Sequence, residues 1–135
     1  MINDKLNKLL NLLTDKTKKK EAIWNKASGN NQFKLKLPEN IAVTISYYEG
    51  DYNNPESYTI VIYNSNGDAI QRYSTDEHTS PEDFELISSF HQVASDSYYK
   101  VDETFDSLIR SIESTDTIGM IENPKNEDIA DDLPF

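Results

Sequence analysis

The residues with the most definite recognition chemistry are the last five of the sequence, Asp131, Asp132, Leu133, Pro134 and Phe135. Their ring can enter an apolar pocket while a Lys or Arg on a partner takes the carboxylates. The α-carboxylate of a terminal Phe135 would add a third anionic contact. Pro134 lowers the cost of ordering such a peptide because its φ is already fixed. A second set lies upstream: Tyr47, Tyr48, Tyr58, Tyr63 and Tyr73 fall on expected strands, with Lys34, Lys36 and Arg72 nearby in the pattern. A sheet that displays aromatic rings and cations can stack unpaired bases. Lys34, Lys36, Tyr48, Tyr63, Arg72 and Tyr73 are therefore the candidate contacts for single-stranded DNA, although Tyr is also simply a good strand residue.

Other chemistry is thin. His91 is adjacent to Phe90 and reads as boundary packing, and His78 falls in a polar link. Glu49, Asp51, Asn53, Asn54 and Glu56 offer oxygen ligands but lack the spacing of a calcium loop, so they read as a solvated turn. There is no Gly-rich phosphate loop, paired-His motif or nucleophile elbow. The sequence contains no Cys, which removes disulfides, thiolate metal sites and a Cys nucleophile. No catalytic residue, metal or cofactor is expected, and the chain reads as a non-enzyme.

The stretch Asp128-Ile129-Ala130-Asp131-Asp132-Leu133-Pro134-Phe135 resembles the C-terminal tip of bacterial single-stranded-DNA-binding proteins, SSB. The resemblance covers only these last residues. In that family the tip recruits replication, recombination and repair enzymes, and the acidic tail competes with DNA. The resemblance therefore implies SSB-tail-binding DNA-maintenance proteins as partners, with Phe135 the buried anchor, Leu133 and Pro134 rim contacts, and Asp131 and Asp132 steering charges.

The net charge of −11 is uneven. Residues 1–26 carry +4, residues 27–112 carry −9 and residues 113–135 carry −6. Nucleic-acid affinity comes largely from phosphate neutralisation by Lys and Arg, so the middle section argues against an extensive DNA-binding face. No apolar run approaches membrane-spanning length and the N-terminus lacks a signal-peptide layout, so a cytoplasmic protein without a membrane partner is expected.

The patterning that must position these groups has three parts. Ile2, Leu6, Leu9 and Leu13, widened by Leu10 and Leu12, predict an amphipathic helix over residues 1–20. Its Lys-rich end, Lys16, Lys18, Lys19 and Lys20, suits the negative helix terminus. Such a helix can pack on the body or pair with a second copy, which makes a homodimer an open expectation. Residues 21–113 read as a sheet plus a long helix. Phe33, Leu35 and Leu37 alternate with Lys34 and Lys36, and Ile41, Val43, Ile45 and Tyr47 alternate next. Residues 58–63 are apolar on both faces and predict an interior strand, followed by an Asn66-Gly67 hairpin turn. Ser80, Pro81, Glu82 and Asp83 mark a helix start. The apolar positions Ile87, Phe90, Ala94, Tyr98, Val101, Phe105, Leu108 and Ile112 then predict one continuous helix. Residues 114–135 read as a flexible acidic tail.

The fold expected is α+β: an N-terminal helix, a four- or five-stranded antiparallel meander, a long C-terminal helix and a disordered acidic tail. Ile23-Trp24, Phe33, the strand and turn of residues 60–67 and the closing helix give the body a resemblance to small uncharacterised bacterial domains of mobile elements or defence loci. That resemblance implies no activity. Three functions remain open: an interaction protein presenting the SSB-like tip, a divergent single-stranded-DNA-binding protein, and an acidic DNA mimic from a mobile element. A basic, Tyr-lined groove would favour the second, and clustered acids on the body the third.

Overall fold

The computed structural model describes residues 2–29 and 31–122. The chain divides into two compact units, Met1–Asp102 and Glu103–Phe135.

The first unit begins with α1 (Asp4–Lys18), whose N-cap Asn3 accepts from the Leu6 backbone N–H at 2.8 Å. Leu6, Leu10, Leu13 and Thr17 face inward at three- and four-residue steps, while Leu12 is exposed. The helix is thus part of the body and its stripe is covered by the chain's own core. Thr17 Oγ1 donates to Leu13 O at 2.6 Å and accepts from Trp24 Nε1 at 3.0 Å. That relay satisfies the indole N–H of a buried ring, which would otherwise cost free energy.

Five strands follow: β1 (Asn25–Lys26), β2 (Gln32–Lys36), β3 (Ala42–Tyr48), β4 (Ser57–Tyr63) and β5 (Ala69–Asp76). They form one antiparallel sheet in sequential order, the meander that short connections dictate. The register aligns Phe33, Ile45, Ile60 and Tyr73 across four strands. Directly opposed residues share a face, so this row and the Leu35–Val43–Ile62 row form the inner surface. Phe33, Val43, Ile45 and Ile60 are buried, each worth about 1.5–3 kcal/mol relative to exposure.

The helix α2 (Pro81–Tyr99) starts where the sequence signals place it, with Pro81 in the first turn. Ser80 occupies the N-cap, yet its side chain makes no capping hydrogen bond there. Instead, Asp83 Oδ2 accepts from Tyr73 Oη at 2.5 Å and from the Ile2 backbone N–H at 3.1 Å. One carboxylate thereby ties the start of α1, β5 and the first turn of α2 together. Ile87, Phe90 and Ala94 are buried in the same core as Trp24, whose ring meets Phe90 edge-on at 5.6 Å.

The expected continuous helix is interrupted. Lys100 adopts a left-handed conformation, φ 55° and ψ 47°, and a separate helix, α3, runs Val101–Ser114. No Gly or Pro announces this break. Its physical cause lies in packing: Tyr98 and Tyr99 both reach Phe33, at 5.6 and 6.1 Å between ring centroids, and Lys26 Nζ sits 5.4 Å from the Tyr99 ring. Aromatic pairs add about 0.5–1.5 kcal/mol each beyond their burial, comparable with the cost of one left-handed residue.

In the second unit, Phe105, Leu108, Ile109 and Ile112 lie on one stripe of α3, and each is more than half exposed. Every described residue after Val101 is exposed. Among the described residues no helix is long and apolar enough to cross a membrane.

Candidate nucleic-acid interface

The outer face of the sheet follows from the same register. Lys34, Thr44, Val61 and Arg72 stand in one row across β2 to β5, and Lys36, Ala42, Tyr63 and Ala69 in the next. Gln32, Ser46, Thr59 and Ser74 form a third row, with Thr59 Oγ1 and Ser74 Oγ 2.8 Å apart. Tyr48 lies on this face at the end of β3. The alternation that buries Phe33 and Leu35 therefore delivers Lys34 and Lys36 outward.

Of the six candidate DNA contacts, Lys34, Lys36, Tyr48, Tyr63 and Arg72 share this surface. Tyr73 does not join them. It faces inward beside Ile60, and burial together with its hydrogen bond to Asp83 pushes its phenol up to about 12. Tyr47 and Tyr58 also face inward, their rings 4.9 Å apart. The hydrogen bond to Glu56, reinforced by burial, raises Tyr47 to about 12. Strand parity thus splits the five tyrosines into three structural ones and two displayed ones.

The charge of the strand residues on the outer face runs against that of the chain. Lys34, Lys36 and Arg72 project from it, and Asp76 is its one strand acid. Asp76 Oδ1 accepts from the backbone N–H groups of His78 and Thr79, both at 2.8 Å, and these bonds hold its carboxyl below the usual range. The body's other described acids are distributed over loops and helices.

A groove of about 290 Å³ opens on this face, lined by Lys34, Thr44, Tyr63, Gln32, Asn40 and Ser28. Ser28 Oγ donates to Gln32 Oε1 at 2.8 Å, which fixes the carboxamide at the rim. Asn40 follows Glu39 in the β2–β3 turn, both with positive φ, 69° and 65°. Asn tolerates that conformation better than most residues. Thr44, only 4% exposed, carries a buried Oγ1 with no hydrogen-bond partner among the described residues. Sequence reasoning missed Thr44, Asn40, Gln32 and Ser28. Parity would have placed Thr44 beside Lys34, but nothing in the sequence signals its burial.

The remaining sequence candidates have local duties. His91 Nε2 donates to Asn31 O at 3.0 Å, and its ring packs near Phe33, Tyr47 and Tyr58 at 5.3–6.0 Å. Burial lowers its pKa. In the acidic loop, Asp51 accepts from Tyr48 Oη at 2.5 Å and from the backbone N–H groups of Asn53 and Asn54, both at 2.9 Å. These bonds lower its pKa, the Tyr48 bond most. Gly50, at φ 87°, closes this loop where an added Cβ would lie 2.7 Å from the Glu56 nitrogen. Among the described residues no group of three or more His, Cys, Asp or Glu side chains is arranged to hold a metal ion. The tip residues Asp131, Asp132, Leu133, Pro134 and Phe135 lie outside the described residues.

No family model, curated protein or solved structure matches this chain.

Proposed function

We propose that this chain is a non-enzymatic, cytoplasmic interaction protein of bacterial or phage DNA metabolism. Its partner-binding part is the C-terminal tip, Asp131 to Phe135, and its partners are the replication, recombination or repair enzymes that read an SSB-like tip. One observation carries the reading. All fourteen buried hydrophobic side chains of the described core lie between Leu6 and Ala94, and every described residue from 102 to 122 is exposed. A chain that completes its core this early leaves its remaining residues available for something other than folding. The amphipathic stripe of α3 and the exposed Ile118, Met120 and Ile121 agree with that use.

In this reading Phe135 is the anchor, with Leu133 and Pro134 at the pocket rim and Asp131 and Asp132 steering the encounter. The body serves to tether the captured enzyme or to compete with SSB for it. Titration calorimetry of the full protein into an SSB-tail-binding enzyme tests the proposal. Binding is expected with the intact sequence and lost in Phe135→Ala. Equal heats with both would overturn it.

A further inference from the structure

We infer that the groove on the outer face of the sheet is a nucleotide site, taking an aromatic base and its adjoining phosphate from single-stranded nucleic acid. The inference goes beyond the tip reading and does not depend on it, since every residue used lies in the sheet and its turns, ahead of the C-terminal tip.

Two features of the groove carry the inference. Its chemistry is mixed in the way a nucleotide requires: Tyr63 offers a ring for stacking, Lys34 a cation for phosphate, and Gln32 and Asn40 carboxamides able to meet a base edge. Its size, about 290 Å³, admits one such unit rather than a large ligand.

The surroundings extend the site. From Lys34 the row continues through Thr44 and Val61 to Arg72, about 14 Å across four strands at the usual inter-strand spacing. Lys36 stands one row away, so three cations border a path longer than one nucleotide. The strands of this face thus carry three cations, Lys34, Lys36 and Arg72, against one acid, Asp76, on a chain whose net charge is −11.

Fluorescence anisotropy of the full protein with labelled oligothymidylate, over a range of salt, tests this directly. Neutralising three phosphates predicts a log–log salt slope of about −2, and Lys34→Ala should reduce it by about 0.7. Tyr63→Ala should weaken binding about tenfold or more. Tyr52→Ala, a fully exposed ring away from the groove, should change nothing. Thymidine monophosphate separates the two sources of the same chemistry. Binding of the monomer as tight as the oligomer, sensitive to the same variants, would support the groove while identifying a free nucleotide as its ligand. Amide chemical-shift mapping on the unmodified protein guards against misfolded variants. Shifts are expected on β2, β3 and the β4–β5 turn. No binding of either probe at low salt, or binding indifferent to Lys34→Ala and Tyr63→Ala, would overturn the inference.

Discussion

Replacing Thr44 with Val should make the protein more stable. Thr44 Oγ1 is buried and unpartnered among the described residues, on a strand whose neighbours Lys34 and Val61 sit directly opposite. A buried hydroxyl without a partner costs about 1–3 kcal/mol, and Val replaces it with a methyl of nearly the same shape. Burial of that methyl adds a favourable contribution of about 0.8 kcal/mol, and β-branching preserves strand preference. A net gain of about 1 kcal/mol or more is expected, which for a domain of this size raises Tm by about 4–8 °C per kcal/mol. Urea unfolding followed by far-UV circular dichroism measures it, and an unchanged m-value would show that the denatured state is unaffected. Thr44→Ser, which keeps the hydroxyl and loses the methyl, should be destabilised. The reasoning fails if Thr44→Val is neutral or destabilised, because the hydroxyl would then be satisfied in solution.

Further outcomes follow from named contacts. Asp83→Asn should cost about 1–3 kcal/mol at neutral pH, since the carboxylate accepts from Tyr73 and Ile2 at once. The Tyr73 bond, chiefly, lowers the pKa of Asp83, so its contribution is present above the unfolded value near 4 and lost as pH falls through the folded one. The gap between Asp83→Asn and the parent should therefore narrow in acid unfolding curves below about pH 4. His91 acts in a different window. Burial lowers its pKa, so the unfolded state binds the proton first and stability should decline as pH drops below about 6.5. His91→Phe should remove that decline in melts between pH 7 and 5. A chain ending at Asp102 should unfold within a few degrees of the full protein in calorimetry, because the described core closes by Ala94. A chain ending at Asn126 lacks Glu127, Asp128, Asp131 and Asp132 and should bind oligonucleotide at least as tightly in the anisotropy assay.

Much of the fold was legible because its signals are local. Alternation through Phe33, Leu35, Val43 and Ile45 marked the strands and their inner face, and Asn66-Gly67 with Pro38 marked turns short enough to force an antiparallel order. The same parity separates Tyr48 and Tyr63 from Tyr47, Tyr58 and Tyr73, so most of the outer surface was readable too. What was not readable depends on tertiary competition. The break at Lys100 arises where Tyr98 and Tyr99 turn to Phe33, residues 65 and 66 positions earlier in sequence, and a helical periodicity argument weighs no such contact. The groove likewise gathers Ser28, Asn40 and Thr44 from a strand and two turns. The core stripe of α1 was visible, but whether Leu6 and Leu10 faced the body or a second copy was decided only by packing.

The central claim, that the C-terminal residues dock onto enzymes which read SSB tails, is tested most directly by competition. A fluorescently labelled SSB-tail peptide is bound to such an enzyme and displaced with the full protein, its Phe135→Ala variant or the chain ending at Asn126. The account predicts displacement by the full protein, with an inhibition constant near that of unlabelled tail peptide, and at least tenfold weaker displacement by either altered form. Failure of the full protein to displace the peptide, or equal displacement by all three, would contradict it.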